Sequence, residues 1–470
     1  MGNKWPTLKL SEFACNASRR FNFNNKEKVV FINTSDVLSG KFLHKNLISS
    51  KGLPGQAKKA IKKGDILLSE IRPNNNRFAL VDFNDCNNFV VSTKFMVLEI
   101  NQEIMDLDFF YLQLTSPQTL ADFQHIAESR SGTFPQITFD AISHYPFFCP
   151  NKIYQSQIKK VLLSITNKIE ICQQNNIILE QMSQTLFKSW FVDFDPVIDN
   201  ALDAGNPIPE ALQSRAELRQ KVRNSADFKP LPAEIRSLFP SEFEETEVGY
   251  LPAKWIYSGL SKLIDIKHGF AFKGEYFSET KTNQILLTPG NVRIGGGFKF
   301  DKLKYYKGEI PKDYIFGVDD IFVSMTDLSK ECDSLGYAAR VPSREDTQFL
   351  HNQRLGRVIL GKHPSSVKEF IYQVLISQNY RNTVLGSVTG TTVKHTSPSK
   401  ILSHVISHSE NGEVERKFDS ICSNISLAIS RNNENNRILL KLRDTLLPKL
   451  ISGELSLDDL PDLTTDTEAA

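Results

Sequence analysis

The sequence of 470 residues has little usable cysteine: Cys15, Cys86, Cys149, Cys172, Cys332 and Cys422 lie far apart, and no Cys-x-x-Cys pair is present. That excludes a zinc knuckle or a dithiol redox centre and suits reduced thiols. No apolar run approaches the length of a membrane span. The opening MGNKWPTLKL has no apolar signal core, and Pro6 stands where a myristoylation signal would want Ser or Thr. A soluble, cytoplasmic protein is expected. An excess of one charge is also missing, since 56 Lys and Arg face 54 Asp and Glu for a formal net charge of +2. The chain is therefore no polycation, and local fields matter more than the sum.

Motifs for catalysis are lacking too. There is no Gly-x-x-x-x-Gly-Lys-Ser/Thr phosphate loop, and Gly295-Gly296-Gly297 has neither the spacing nor the strand-to-helix setting of a dinucleotide loop. Asn206-Pro207-Ile208-Pro209 only faintly echoes the Asn/Asp-Pro-Pro-aromatic motif of amino-methyltransferases. Asp265-Ile266-Lys267 lacks the upstream acidic partner of a metal nuclease. His404 and His408 have the spacing of a zinc pair on a helix, without a third ligand or a Glu. Chance explains these better than chemistry does, so no catalytic residue, metal site or cofactor is assigned to this chain.

What is present is one unit written twice. Asn3-Lys4-Trp5 returns as Ala253-Lys254-Trp255, displaced by 250, and Leu10-Ser11 as Leu260-Ser261. Ile32 to Val37 aligns with Leu287 to Val292, and Asp65-Ile66-Leu67-Leu68-Ser69 with Asp320-Ile321-Phe322-Val323-Ser324, both displaced by 255. From Phe89/Phe349 through Ser143-His144/Ser403-His404 to Thr185-Leu186/Thr445-Leu446 the displacement settles at 260. So many matches in one order, with so little drift, mark a duplication. Residues 1–150 and 250–410 mix strand-like runs (DILLSEI, FVVSTKFMVLEI, DIFVSMT) with short helical stretches, which predicts two globular α+β domains.

Residues 151–192 and 411–452 have no proline before Pro448 and only Gly412 at one edge, so each predicts one long helix. Steps of four and three pick out Ile158, Leu162, Ile165, Ile169, Asn176 and Leu179 in the first helix. In the second they pick out Ile425, Ile429, Asn436 and Leu439. These read as the seam of a coiled coil between the two helices. Two amphipathic helices packed separately on their own domains are the alternative. Asn176 and Asn436 would fix register on that seam or mark a solvated break in it. Residues 193–249, rich in proline and charge, predict a linker with one short helix at most, near Glu210 to Arg223. The acidic segment 453–470 predicts disorder.

Two further features bear on binding. The window from Lys41 to Arg77 holds nine cations, Lys58 and Lys59 among them, against Asp65 and Glu70. It is either a solvated face or a phosphate-binding one. The first helix ends in SQTLFKSWFVDFDPV, four large rings within a few residues. Clusters of this kind mark an interaction surface when exposed.

A duplicated domain-plus-helix unit whose helices close on TLFKSWFVDFDPV and LRDTLLPKLISGEL resembles the specificity subunit of type I restriction-modification systems. Supporting motifs are Gly249 to Trp255, the turn Gly269-Phe270-Ala271-Phe272-Lys273, and the paired Ser131-Gly132-Thr133 and Thr389-Gly390-Thr391. The resemblance covers the whole chain. It implies a non-catalytic subunit whose two recognition domains each read one half of a bipartite double-stranded DNA target, spaced by an antiparallel helix pair with a pseudo-twofold repeat. It implies docking of two modification subunits, which use S-adenosylmethionine to methylate adenine, and of restriction subunits that use ATP and Mg. A helix of about 39 residues spans roughly 58 Å, enough to hold two readers one DNA turn, roughly 34 Å, apart. The domains differ outside the matched anchors, so an asymmetric target is expected.

On this resemblance the candidate DNA contacts are Lys58, Lys59, Arg72, Arg77, Thr133 and Gln136 in the first domain. In the second they are Lys267, Lys273, Arg293, Thr391 and Lys394. For each, phosphate contact or solvation competes with base reading. The candidate partner anchors are Phe187, Trp190, Phe191, Phe194, Leu446 and Leu450; packing of the helix ends against a recognition domain is the alternative. A self-contained restriction-methylation enzyme is disfavoured because its methylase motifs are absent. A coiled-coil assembly scaffold without DNA is disfavoured by the basic window and the duplicated domains.

Overall fold

The computed structural model describes residues 5–130, 134–301, 303–327, 329, 331–388, 390 and 393–455. The chain divides into two compact units, residues 1–171 with 435–470, and residues 172–434.

In unit 1 the apolar run DILLSEI becomes the strand Ile66–Ser69, buried along its whole length. It lies inside an antiparallel sheet with the order Ala14–Asn16, Phe95–Ile100, Ile66–Ser69, Phe78–Leu80. A strand buried on both faces has no polar side to alternate with. Leu67, Ala79, Phe95 and Val97 share one core with Val30, Ile32 and Val91 of a second sheet. Ile66, Leu68, Met96 and Leu98 share the other with Phe109, Phe110, Leu120 and Phe123 of the helices Leu107–Leu114 and Pro117–Arg130. The second sheet runs Ile48–Ser49, Lys28–Ile32, Phe89–Ser92, Ala57–Ala60, with its two central strands parallel. Thr7–Lys9 pairs with Pro146–Phe148, which leads the chain into the first long helix.

Unit 2 repeats this plan. Its first sheet has the order Asp265–His268, Leu355–Ile359, Ile321–Ser324, Ala338–Arg340. Its second again contains one parallel pair, Gln284–Leu287 with Gln348–His351. The helices Lys368–Ile376 and Gln378–Gly386 cover one face, and Trp255–Gly259 pairs with Val405–Ser409 ahead of the second long helix.

The long helices are Lys152–Phe191 and Glu413–Ser452, each of 40 residues. In unit 1, Ile158 and Leu162 share a core with Leu447, Leu450 and Ile451. In unit 2, Asn176 meets Asn432 and Asn433, whereas Phe187 and Trp190 meet Phe418. Contacts that ascend one helix while descending the other are those of an antiparallel pair. Ile165 and Ile169 are buried, and Leu179, Ile425, Ile429 and Leu439 are half-buried. Asn176 accepts from Asn432 and donates to Asn433, both at 2.9 Å. Asn436 is buried, with its amide oxygen unpartnered among the described residues.

Residues 193–249 correct the linker expectation. They fold into the helices Asp195–Ala204 and Gln213–Arg223, a short helix Ala233–Arg236, and a hairpin of Phe243–Thr246 with Gly249–Pro252. The reason is a ladder of ion pairs. Arg215 chelates Asp195 with two bonds of 2.7 Å, Arg219 chelates Asp199, and Arg223 and Arg236 share Asp203. Both sides of the ladder step by four residues, one helical turn apart. Gly453, with φ 76, lets the second long helix end, and Leu455 folds back to bond the Lys449 carbonyl. Residues 453–455 are thus ordered; the rest of the expected acidic tail lies outside the described residues.

Candidate nucleic-acid interface

Each central strand carries the chain out of its sheet into a loop. In unit 1, Ile71 bridges Gln136 beyond Ser69, the Arg72 N–H bonds the Pro135 carbonyl at 3.1 Å, and the Ile137 N–H bonds Glu70 at 2.8 Å. A tight turn, Pro73–Asn75, follows, flanked by two left-handed residues, Arg72 (φ 44) and Asn76 (φ 55). An arginine there stores strain of roughly 1–3 kcal/mol. Arg72, Asn74 and Asn75 are exposed, and among the described residues their side chains have no hydrogen-bond or ionic partner.

The neighbouring cations have other duties. Arg77 donates to the carbonyls of Ser35 (2.8 Å) and Val37 (2.9 Å), which ties the loop to the preceding hairpin. Lys59 bonds the Phe95 carbonyl at 2.6 Å, and burial holds its ammonium below the usual range, with nearby Glu70 opposing. Both thereby support the unit 1 fold, Arg77 through Nη1 alone and Lys59 through one bond of its ammonium. Lys58 is exposed on the same strand. Gln136 is half-buried beside Ile71, and Thr133 lies outside the described residues.

In unit 2 the corresponding strand continues into Thr326–Asp327, which pairs with Lys394–His395. Asp327 accepts from the N–H groups of Ser329 (2.7 Å) and Ser334 (2.6 Å). Burial pushes its carboxyl up, but these donors together hold it below the usual range. Arg381 is buried, bonds the Cys332 carbonyl and lies 4.6 Å from the Tyr337 ring. Lys394 is half-buried, and Thr391 lies outside the described residues. Gly390 has φ 93, and a Cβ there would come within 2.1 Å of the Val393 carbonyl oxygen.

Lys267 bonds the Asp313 carbonyl at 3.2 Å and sits 4.9 Å from the Tyr314 ring. Lys273 is exposed with Glu275 at 3.7 Å, and Arg293 pairs with Glu180 of the first long helix at 3.0 Å. In the first domain Arg72, Arg77 and Gln136 lie at one loop, joined by the Ile71–Gln136 bridge.

The aromatic helix end has a different role from a docking anchor. Phe187, Trp190, Phe191 and Phe194 are all less than 10% exposed and share the unit 2 core with Phe239, Trp255, Phe370 and Phe418. Phe191 packs on Phe370 at 4.7 Å and edge-on to Phe418 at 5.3 Å. The expected exposed anchor is corrected on burial: the rings are spent inside the unit. Leu446 and Leu450 likewise pack in the unit 1 core, where the Leu450 carbonyl accepts from the Trp5 indole.

Three histidines are also internal. His404 and His408 flank and end a strand rather than sharing a helix; His404 bonds Thr383 (2.8 Å), and His408 bonds Ser258 (2.7 Å) and Ser365 (3.1 Å). His351 donates from Nε2 to the Leu355 carbonyl at 2.9 Å and lies 4.6 Å from the Phe316 ring. Burial pulls the imidazoles of His351 and His404 down to about 4. Among the described residues no group of three His, Cys, Asp or Glu could hold a metal, and no helix is long and apolar enough to cross a membrane.

Sequence reasoning missed the buried pair of Arg340 with Glu369 (2.6 Å), which also reaches Ser426 of the second long helix and the Tyr372 ring. It missed the Asp–Arg ladder too, although Asp195, Asp199 and Asp203 repeat at steps of four, as do Arg215, Arg219 and Arg223.

Residues 3–181 match the family model of the type I restriction modification DNA specificity domain. Over 481 residues the chain is 37% identical to the type I restriction enzyme HindI specificity subunit of Haemophilus influenzae, covering 96% of this chain and 99% of that protein. It is 25% identical over 334 residues to the MjaIX specificity subunit of Methanocaldococcus jannaschii, covering 71% and 66%. The crystal structure of a type I restriction-modification S subunit from M. genitalium shares its fold, with a TM-score of 0.50 at 14% identity over 96% of each chain. Identity above one third along nearly the full length of both proteins settles the relation: the chain belongs to the family of type I restriction enzyme specificity subunits.

Proposed function

We propose that this chain is the DNA-reading subunit of a type I restriction-modification complex, with each recognition domain addressing one half of an asymmetric, bipartite duplex target. The observation that carries the reading is one sheet-and-helix frame built twice, with unlike loops leaving the equivalent strands Ile66–Ser69 and Ile321–Ser324. A shared frame with different loops gives two readers of different bases. Lys58, Lys273 and the other exposed lysines supply phosphate contact, which positions without specifying. The paired helices set the gap.

Catalysis belongs to the partners in this reading. Two modification subunits bring S-adenosylmethionine and methylate adenine, and restriction subunits use ATP and Mg, all in the cytoplasm. With the helix-end rings buried, docking falls to the exposed apolar residues of the long helices, Ile177, Ile178, Met182 and Leu427 in unit 2 and Ile438 in unit 1.

The test is to co-purify the chain with its cognate modification subunit and select bound duplexes from a randomised pool. Enrichment of two short specified segments around a fixed gap, with affinity falling steeply as salt rises, is expected. Assembly without any sequence enrichment would favour a scaffold.

A further inference from the structure

We infer that the loop from Arg72 to Asn76 is the base-reading edge of unit 1, with Arg72 the residue that specifies one guanine of its half-site. The inference rests on the DNA-reading function proposed above and assigns part of it to one side chain. The loop is held from several directions. Its Arg72 N–H bonds Pro135, its Asn74 N–H bonds the Gln124 side chain at 3.2 Å, and its Asn76 carbonyl accepts from Ser39 at 2.7 Å. Arg77 clamps it to Ser35 and Val37, and Pro73 is buried beneath it. A loop pinned in this way presents its exposed side chains in a fixed direction, which sequence reading requires.

The residue types fit the task. Arginine offers a planar fork that matches guanine O6 and N7, and an asparagine amide matches adenine N6 and N7. Arg72, Asn74 and Asn75 are exposed together with no partner among the described residues. The backbone adds an independent point. Arg72 sits at φ 44, ψ 78, where glycine would be unstrained and arginine is not. The strained backbone serves the turn, but an arginine in place of glycine there gains no side-chain contact within the described unit, so a use for the side chain accounts for it. The clustered lysines nearby, flexible point charges, suit phosphates instead.

The experiment maps N6-methyladenine in a methylation-free host carrying the cognate modification subunit with wild-type chain, Arg72→Gly, Arg72→Lys or Arg77→Ala. Glycine keeps the backbone conformation, so Arg72→Gly folds; lysine keeps the charge. Both Arg72 variants are expected to lose about 10- to 100-fold discrimination at one base pair of one half-site, with the other half and the gap unchanged. Should Arg72→Gly abolish methylation outright, the Arg72→Lys map decides by the same criterion. An Arg72→Lys map identical to wild type would overturn the inference by making the residue a phosphate contact. So would a change spread over both halves. If the wild-type chain itself gave no bipartite motif, the DNA-reading function would fall and take this inference with it. Arg77→Ala, which unpins the loop, is expected to lower unit 1 stability and weaken discrimination across that half-site as a whole; a loss confined to one base pair there, with the Arg72→Lys map unchanged, would move the assignment from Arg72 to Arg77.

Discussion

Unit 1 and unit 2 build a first sheet in the same strand order and a second around one parallel pair, yet they finish the equivalent strands differently. After Ser69 the chain makes a short pinned turn that displays Arg72, Asn74 and Asn75; after Ser324 it turns its polar side chain inward, with Asp327 bonded to Ser329 and Ser334. The units also differ in what fills them. Unit 2 buries a cluster of aromatic rings, an Arg–Glu pair and three histidines, whereas the centre of unit 1 is aliphatic and phenylalanine-rich, with Val91 in the parallel-strand position that His351 takes in unit 2. The frame is thus indifferent to the loop it carries and tolerant of its filling, which allows two readers to diverge on one scaffold.

The largest effect expected from breaking this comparison is at Phe191. Phe191→Ala removes a ring packed on five aromatic neighbours and should destabilise unit 2 by about 3–5 kcal/mol. Hydrogen exchange should then speed in the helix Lys368–Ile376 of unit 2 and stay unchanged in Pro117–Arg130 of unit 1. Glu369→Ala leaves the Arg340 guanidinium with Ser426 and the more distant Asp319 at 3.5 Å, and should cost less than the ring deletion, again confined to unit 2.

A pH term comes next. The His351 imidazole titrates near 4 in the folded chain and near 6.5 when unfolded, since burial disfavours the cation, as do nearby Arg357, Lys267 and His268. Below 6.5 the unfolded chain takes a proton that the folded one refuses. Stability is therefore complete above 6.5 and lost as pH falls toward 4, by roughly 3 kcal/mol. His351→Val, which borrows the residue of unit 1, should flatten that part of the pH profile in denaturant titrations whatever its effect at neutral pH.

Smaller effects sharpen the account. Arg219→Ala opens one rung of the Asp–Arg ladder and should cost about 1–2 kcal/mol, less in high salt; chemical denaturation at two ionic strengths reads it. Arg72→Gly relieves the left-handed strain and should leave the melting temperature of unit 1 unchanged or slightly raised, opposite in sign to the other substitutions.

Much of the fold was legible in the sequence because it depends on patterns that repeat. Apolar runs such as Ile66 to Ser69, the seven-residue spacing from Ile158 to Ile169, and the matched pairs between copies each reflect burial. The rings from Phe187 to Phe194 were visible but ambiguous: a sequence shows how much apolar surface must be covered, not whether this chain or another covers it. Arg72 and Arg77 looked alike in sequence, and what separates them is the course of the hairpin at Ser35 to Val37, a long-range placement. Residues 193–249 misled because proline and charge usually mean a solvated linker, and here the charges pair.

The most direct test of the central claim, that the frame is common and the reading is in the unlike domains, is a chain in which residues 255–409 replace residues 5–148, giving two copies of the second reader. Mapped as N6-methyladenine beside the wild type, it should methylate a site whose two halves specify the same bases, with the wild-type second half retained and the first lost. A motif that kept two unlike halves would contradict the account.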